Sequence, residues 1–406
     1  MAYRIFEVFG VELEYMIVDR DTLAVKPIAD ELLKKVTGAY VSDFENGEID
    51  WSNELVNHVL EIKTHRPASS LLKLDQHFAG NVQQINELLE PFNAMLLPSG
   101  VHPFMDPFTE MKLWEHEYNE IYNLYNRIFD CRGHGWANLQ STHINLPFQG
   151  DEEFKKLHAA IRMLLPVIPA LSASTPMLDS KLTGFADARL ETYRHNQKKL
   201  PIIAGKVVPE AVFSKQAYHE QIFNPIREAI RPYDTENILD QHFLNSRGAI
   251  ARFDRGAIEI RIIDIQECPA ADLAILSTIV EVLKLMVSEK WSSTEAQMNW
   301  HEDTLAAIFL DVVKEGENAK IEDKEYLRMF GLGEETLTAG ELWAFLLPDV
   351  RENLSAEHYM TISKIIGHGT LSNRIKKALG EQPDKEKIIE VYRQLANCLQ
   401  HNHLFV

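Results

Sequence analysis

Four runs of strand-forming residues in this 406-residue chain carry ionisable groups at alternate positions. In Gly10-Val11-Glu12-Leu13-Glu14-Tyr15, Glu12 and Glu14 share one face, because successive strand side chains point to opposite sides. Glu61 lies between Leu60 and Ile62, and His143 pairs with Asn145 across Ile144. Glu259 and Arg261 face away from Ile258, Ile260 and Ile262. If these runs join one sheet with those faces aligned, Glu12, Glu14, Glu61, His143 and Glu259 converge on a single surface. Carboxylates brought together repel, and some take up protons unless cations sit among them. Oxygen ligands with one imidazole suit magnesium or manganese better than zinc, and magnesium commonly keeps part of its shell for phosphate oxygens. Arg261 beside Glu259 is then a natural phosphate clamp. Read singly, each Glu-x-Glu is the solvated face of a half-exposed sheet, and His143 is a hydrogen-bonded structural histidine. The pattern alone leaves a cation site and solvated strand faces as alternative readings.

The elements that must position these groups follow from periodicity. Residues 4–18, 56–64, 94–97 and 136–148 read as strands, and 249–265 reads as a hairpin turning at Asp254-Arg255-Gly256. Ser69-Ser70 are expected to cap a helix that runs to about Leu89, with further helices over 111–129, 154–171 and 216–230. A loop-rich stretch over 172–209 holds Arg189 and Arg194. From Ala270 the pattern is helical almost to the end, with breaks near Gly316, Gly331 and Gly380. Strands interspersed with helices early and helices alone late predict an α+β fold. With no repeat or low-complexity linker, one catalytic domain is expected over 1–406, comprising a sheet-bearing core (1–269) and a helical C-terminal region (270–406).

Composition excludes several classes. Hydrophobic residues at 45% and charged residues at 25% are ordinary for a folded soluble protein. A net charge of −19 argues against a nucleic-acid partner, since phosphate backbones need a basic footprint. There is no apolar run long enough to span a membrane, and Met1-Ala2-Tyr3-Arg4 lacks a secretory layout, so the cytoplasm is the expected compartment. Cys131, Cys268 and Cys398 have no Cys-x-x-Cys spacing, against a disulfide scaffold or zinc knuckle. Cys131 and Cys268 read as buried small hydrophobes, and Cys398 with His401 and His403 as a frayed tail rather than a metal site. There is no phosphate-binding Gly-rich loop ending in Lys-Ser/Thr, and no His-Glu pair has the second histidine of a zinc protease.

Taken in order, Gly10–Tyr15, Leu60-Glu61-Ile62-Lys63-Thr64, Thr142-His143-Ile144-Asn145-Leu146-Pro147 and Ile258–Asp264 resemble the glutamate–cysteine ligase and carboxylate–amine ligase family, which shares the glutamine synthetase/guanido kinase-like fold. Ser172–Pro176 with Thr183-Gly184 and Arg189 is similar to a family loop, and Ile365–Gly369 through Arg374 to its closing helix. The likeness covers most of 5–375 and is patchy over 295–360. It implies a curved, mainly antiparallel sheet forming an active-site funnel, backed by helices, with ATP and magnesium (or manganese) inside. By position, Glu12, Glu14, Glu61, His143 and Glu259 would hold metal or orient phosphates, and Arg261 would contact the transferred phosphate. Glu54 falls where the family often has another acid, but in a straight strand it would face away from Glu61. Arg189 and Arg194 would bind substrate carboxylate or phosphate, exposed salt bridges being the alternative. The implied function is ATP-dependent ligation of glutamate to cysteine through an acyl phosphate, as in glutathione biosynthesis. A different acid or amine, a guanidino-kinase-like phosphotransferase and a non-catalytic ATP-binding regulator are the alternatives. Small molecules are the expected partners, and a homo-oligomer is left open.

Overall fold

A computed structural model describes residues 3–333 and 336–406; Met1 and Ala2, read above for a secretory signal, lie outside the described residues. The strands of the main sheet are β1 (Gly10–Asp19), β2 (Asp43–Asn46), β3 (Ile49–Asn53), β4 (Val59–Thr64), β5 (Ala94–Leu97) and β6 (Ser141–Pro147). After a small separate hairpin of β7 (Met177–Leu178) and β8 (Lys181–Leu182), β9 (Ala249–Arg252) and β10 (Ala257–Asp264) complete it. The order is β2-β3-β4-β1-β6-β10-β9, and every pairing is antiparallel. One edge of β1 pairs first with β6 over Gly10–Leu13 and then with β5 over Met16–Asp19.

The α+β class and the mainly helical region from Pro269 on agree with the sequence reading, except that Lys320–Ile321 and Leu337–Thr338 pair as a small two-stranded sheet within it, and several boundaries differ. The 136–148 run is a short helix (His134–Ala137) followed by β6, and the 111–129 helix begins only at Asn119. The 154–171 helix starts earlier, at Gly150, and its regular part ends at Leu164, where Pro166 and Pro169 each open a new short turn. The helix expected after Ser69-Ser70 begins at Leu74, behind a Lys73 held at φ 66°. Ser70 Oγ instead accepts from the Leu72 N–H, making a local turn. The tail is ordered: the last helix, Lys385–His401, buries Cys398.

Apolar alternation decides which face is buried. Val11, Leu13, Tyr15 and Ile17 of β1 and Ile258, Ile260 and Ile262 of β10 pack against the helices Leu74–Leu89, Gly150–Leu164 and Pro269–Val287. Residues from both the 1–269 and 270–406 parts thus share one core. On the other face β1 runs from Glu12 and Glu14 to Met16 and Val18, and the latter two are covered by Leu371, Ile375 and Leu395 of the last two helices. The acidic row lies where this apolar cover stops. Among the described residues, no helix is long and apolar enough to cross a membrane.

Candidate active site

Strand register brings the acidic groups together. Glu14 stands opposite Glu61 of β4, Glu12 opposite His143 of β6, and Glu259 of β10 opposite Asn145. Directly paired strand residues share a face, so four sequence-distant runs converge as their alternation implies. Glu54 also arrives there, against the straight-strand expectation. β3 and β4 form an antiparallel pair with Ser52 opposite Glu61, so Glu54, two residues past Ser52, keeps the face of Glu61. It lines the same cleft as Glu14 and His143.

His143 is the hub. Its Nδ1 lies 3.1 Å from Glu12 and 3.8 Å from Glu259, and its Nε2 lies 2.8 Å from Ser141 Oγ and 3.9 Å from Glu14. Burial alone would lower the imidazole pKa, but the Glu12 hydrogen bond and the Glu14 and Glu259 charges outweigh it and raise it. Glu12 mirrors this: burial works against ionisation, yet His143, Lys63 and Arg261 hold its pKa at about 2. Glu14 accepts from both the N–H and the hydroxyl of Ser141, at 2.6 and 2.9 Å. Glu54 and Glu61 are pushed the other way, upward, first by burial and then by neighbouring carboxylates. Lys63 and Ser52 both donate to Glu61.

This donor set fits divalent cations. Glu12, His143 and Glu259 present ligand atoms within 4.8 Å of one another, and so do Glu14, Glu61 and His143. A hard cation placed among these carboxyl groups would supply positive charge that works against the upward shift of Glu54 and Glu61.

A bulge shapes the opposite wall. Between Ile260 and Ile263 the pairing of β10 with β6 shifts, so Arg261 and Ile262 together oppose His143. One extra residue reverses the facing of the rest of the strand, and Glu259, Arg261 and Asp264 all reach the acidic face. Arg261 gives two hydrogen bonds to Glu259, at 3.0 and 2.7 Å. The bulge is held from behind: the Arg261 N–H donates to Gly248, and its carbonyl accepts from Arg189. A Cβ on Gly248 would lie 2.5 Å from Ile262 Cγ2, so only glycine lets the chain pass there.

The two loop arginines part company. Arg189 is 1% exposed, and its Nε donates to Asp264 at 2.5 Å, so it braces the cleft floor more than it presents a free guanidinium. Arg194 is not brought to the site: it makes a two-pronged pair with Glu191 on its own helical turn and lines neither cleft beside the acids. Cys131 and Cys268 are buried, their thiols pushed up by burial, the former to about 12. Arg252 was not anticipated. It sits 3.6 Å from Glu259 in the same cleft, and its place on β9 directly across from β10 was the available signal. Lys63, on the same strand face as Glu61, was equally legible and overlooked. Two clefts flank the row. One of about 290 Å³ holds Glu14, Glu54, Arg252 and Arg261 with an aromatic wall of Tyr122, Tyr125, Trp136 and Phe243; one of about 210 Å³ holds Glu12, Lys63 and Asn145.

The chain is 32% identical over 401 residues to an uncharacterised protein from Archaeoglobus fulgidus, covering 98% of this chain and 100% of that one. A provisionally named glutamate–cysteine ligase 2 from Nitrosospira multiformis is 28% identical over 194 residues, 45% of this chain and 46% of that protein; the match to this named relative spans about half its length. Among solved structures, the Francisella tularensis glutamate–cysteine ligase in complex with AMP superposes with a TM-score of 0.66 at 12% identity, covering 98% of this chain and 90% of that one. At such low identity the likeness establishes a common fold. The sequence profile of glutamate–cysteine ligase family 2 matches residues 8–394, nearly the whole chain, and the protein belongs to that family.

Proposed function

We propose that this protein is an ATP- and magnesium-dependent carboxylate–amine ligase that joins glutamate to cysteine and releases ADP and phosphate. The observation that carries this is the convergence of Glu12, Glu14, Glu61, His143 and Glu259 on one sheet face beside Arg261. In the reaction a substrate carboxylate attacks the γ-phosphate of ATP, forming an acyl phosphate; the amine then attacks the activated carbonyl, and phosphate departs. Glu12 and Glu259 with His143, and Glu14 and Glu61 with His143, would hold the divalent cations. Bound there, the cations offset the charge of the transferring phosphoryl group. Arg261 pairs with Glu259 at 2.7 Å and would turn its remaining N–H donors to phosphate oxygens, with Arg252 as a second cation nearby. Arg189 fixes the carbonyl of Arg261 and the carboxylate of Asp264, a positioning role. The AMP held by the structurally similar Francisella enzyme supports nucleotide use.

A second reading, a different amine with the same chemistry, rests on the aromatic residues Tyr122, Tyr125, Trp136 and Phe243 that line the cleft and suit an apolar or aromatic side chain. Phosphate release from ATP and magnesium, measured with glutamate alone and with each amino acid added singly, decides between them. Release that rises with cysteine, with γ-glutamylcysteine found by mass, supports the first; a rise with another amine replaces the substrate. Absence of release under every pairing contradicts both.

A further inference from the structure

A third cleft, of about 450 Å³, lies on the helical side of the sheet, away from the acidic row. One wall is the helix Pro269–Val287, which is almost wholly buried and apolar. Asp272 and Thr278 bond within the fold, while Ser277, Glu281 and Lys284, at i, i+4 and i+7, form a polar stripe that faces the cleft. Burying such groups costs stability unless something pairs with them. Glu281 and Lys284 pair with each other at 2.6 Å, and the ammonium also sits 5.9 and 5.8 Å from the rings of Phe6 and Phe9. Ser277 Oγ is 2.9 Å from Nδ1 of the buried His358. With Nδ1 accepting, Nε2–H is left as a donor that has no partner among the described residues. The mouth is formed by Ser69, Ser70 and Leu72, the serines that fail to cap the following helix because the chain takes the left-handed turn at Lys73. Strain of that kind persists where the surroundings enforce it, commonly at binding sites.

We propose that this cleft binds a free α-amino acid with an apolar side chain. Such a molecule carries an ammonium and a carboxylate on one carbon, matching a touching Glu–Lys pair with charges reversed. The ammonium would meet Glu281, and the carboxylate would meet Lys284 and Nε2–H of His358. The side chain would lie against Phe9, Leu71, Val280 and Leu354. The volume is within the range of small-molecule sites and accommodates leucine or phenylalanine. The site is independent of the ligase reading, since none of its residues lies in the acidic clefts.

Calorimetric titration of the full chain with L-leucine and L-phenylalanine tests it, with 4-methylpentanoate and 3-methylbutylamine as singly charged counterparts. Saturable binding of an amino acid is expected, with both counterparts weaker by about tenfold or more, as loss of a charge-assisted contact implies. Glu281→Gln, Lys284→Met and Leu72→Trp, the last filling the mouth from an exposed position, should each weaken it similarly, while the Tm of each variant reports folding. Three results overturn the proposal: no saturable heat with the wild type, equal binding by a singly charged counterpart, or unchanged binding in folded variants. Heat lost in Glu259→Gln but kept in Glu281→Gln would place the amino acid on the acidic face and equally overturn it.

Discussion

In the proposed reaction the guanidinium of Arg261 has two demands, pairing with Glu259 and meeting a phosphate. The geometry allows both, because Glu259 also has Arg252 at 3.6 Å and His143 at 3.8 Å. Arg261→Ala therefore leaves no isolated buried carboxylate. It should fold and lose about 100-fold or more in kcat, with a much smaller change in the KM of the amine. A change confined to the amine KM would remove Arg261 from the phosphate. At this scale the sequence was legible as strand parity: alternation gives the faces of Glu12, Glu14, Glu61, His143 and Glu259, and only the strand register shows that those faces adjoin. Glu54 was misjudged because the chain reverses between it and Glu61, which parity along a single strand does not register. Arg194 is unlike these, since a helical residue has a partner three positions away in Glu191 and the sequence offers no face to rank them.

Among the elements, the bulge in β10 does the positioning. It lets Glu259, Arg261 and Asp264 share a face, and its close passage of Gly248 leaves no room for a side chain. Gly248→Ala should cost roughly 1–3 kcal/mol of stability, as overpacking does, and lower turnover beyond what lost folding explains. A variant of wild-type stability and activity would show that the bulge tolerates displacement. The hairpin at 254–256 was readable from its turn, and Asn46-Gly47 gave the same kind of signal for β2–β3, with Gly47 at φ 75°. That hairpin was missed because Asp43–Asn46 is short, polar and without apolar alternation. The false cap at Ser69-Ser70 has a different cause: cap residues act only where the backbone enters the helix, and Lys73 delays that entry.

Over the whole molecule, sheet and helical layer are joined by Asp272, in the first turn of the Pro269–Val287 helix. Its Oδ1 accepts from Thr142 Oγ1 at 2.6 Å and from the Gln266 N–H at 3.1 Å. Burial raises its pKa well above the usual aspartate value despite those bonds. A carboxyl group with a raised folded pKa holds a proton that the unfolded chain gives up, so stability falls as pH rises from about 4, the unfolded aspartate value. Asp272→Asn keeps the acceptor and removes the titration. Its Tm relative to wild type should therefore climb with pH over that window; a pH-independent difference would mean that Asp272 is ionised in the fold. The helical C-terminal region was legible as helices but not as the cover of Met16 and Val18, because periodicity identifies an apolar stripe and not its partner.

The central claim is that this acidic face activates a carboxylate by phosphoryl transfer, and isotope transfer tests it most directly. With magnesium, ATP, the accepted amine and glutamate labelled with 18O in its γ-carboxyl group, one labelled oxygen should appear in each phosphate released. Phosphate released without label would mean that water, and not the carboxylate, attacks ATP, and would contradict the account.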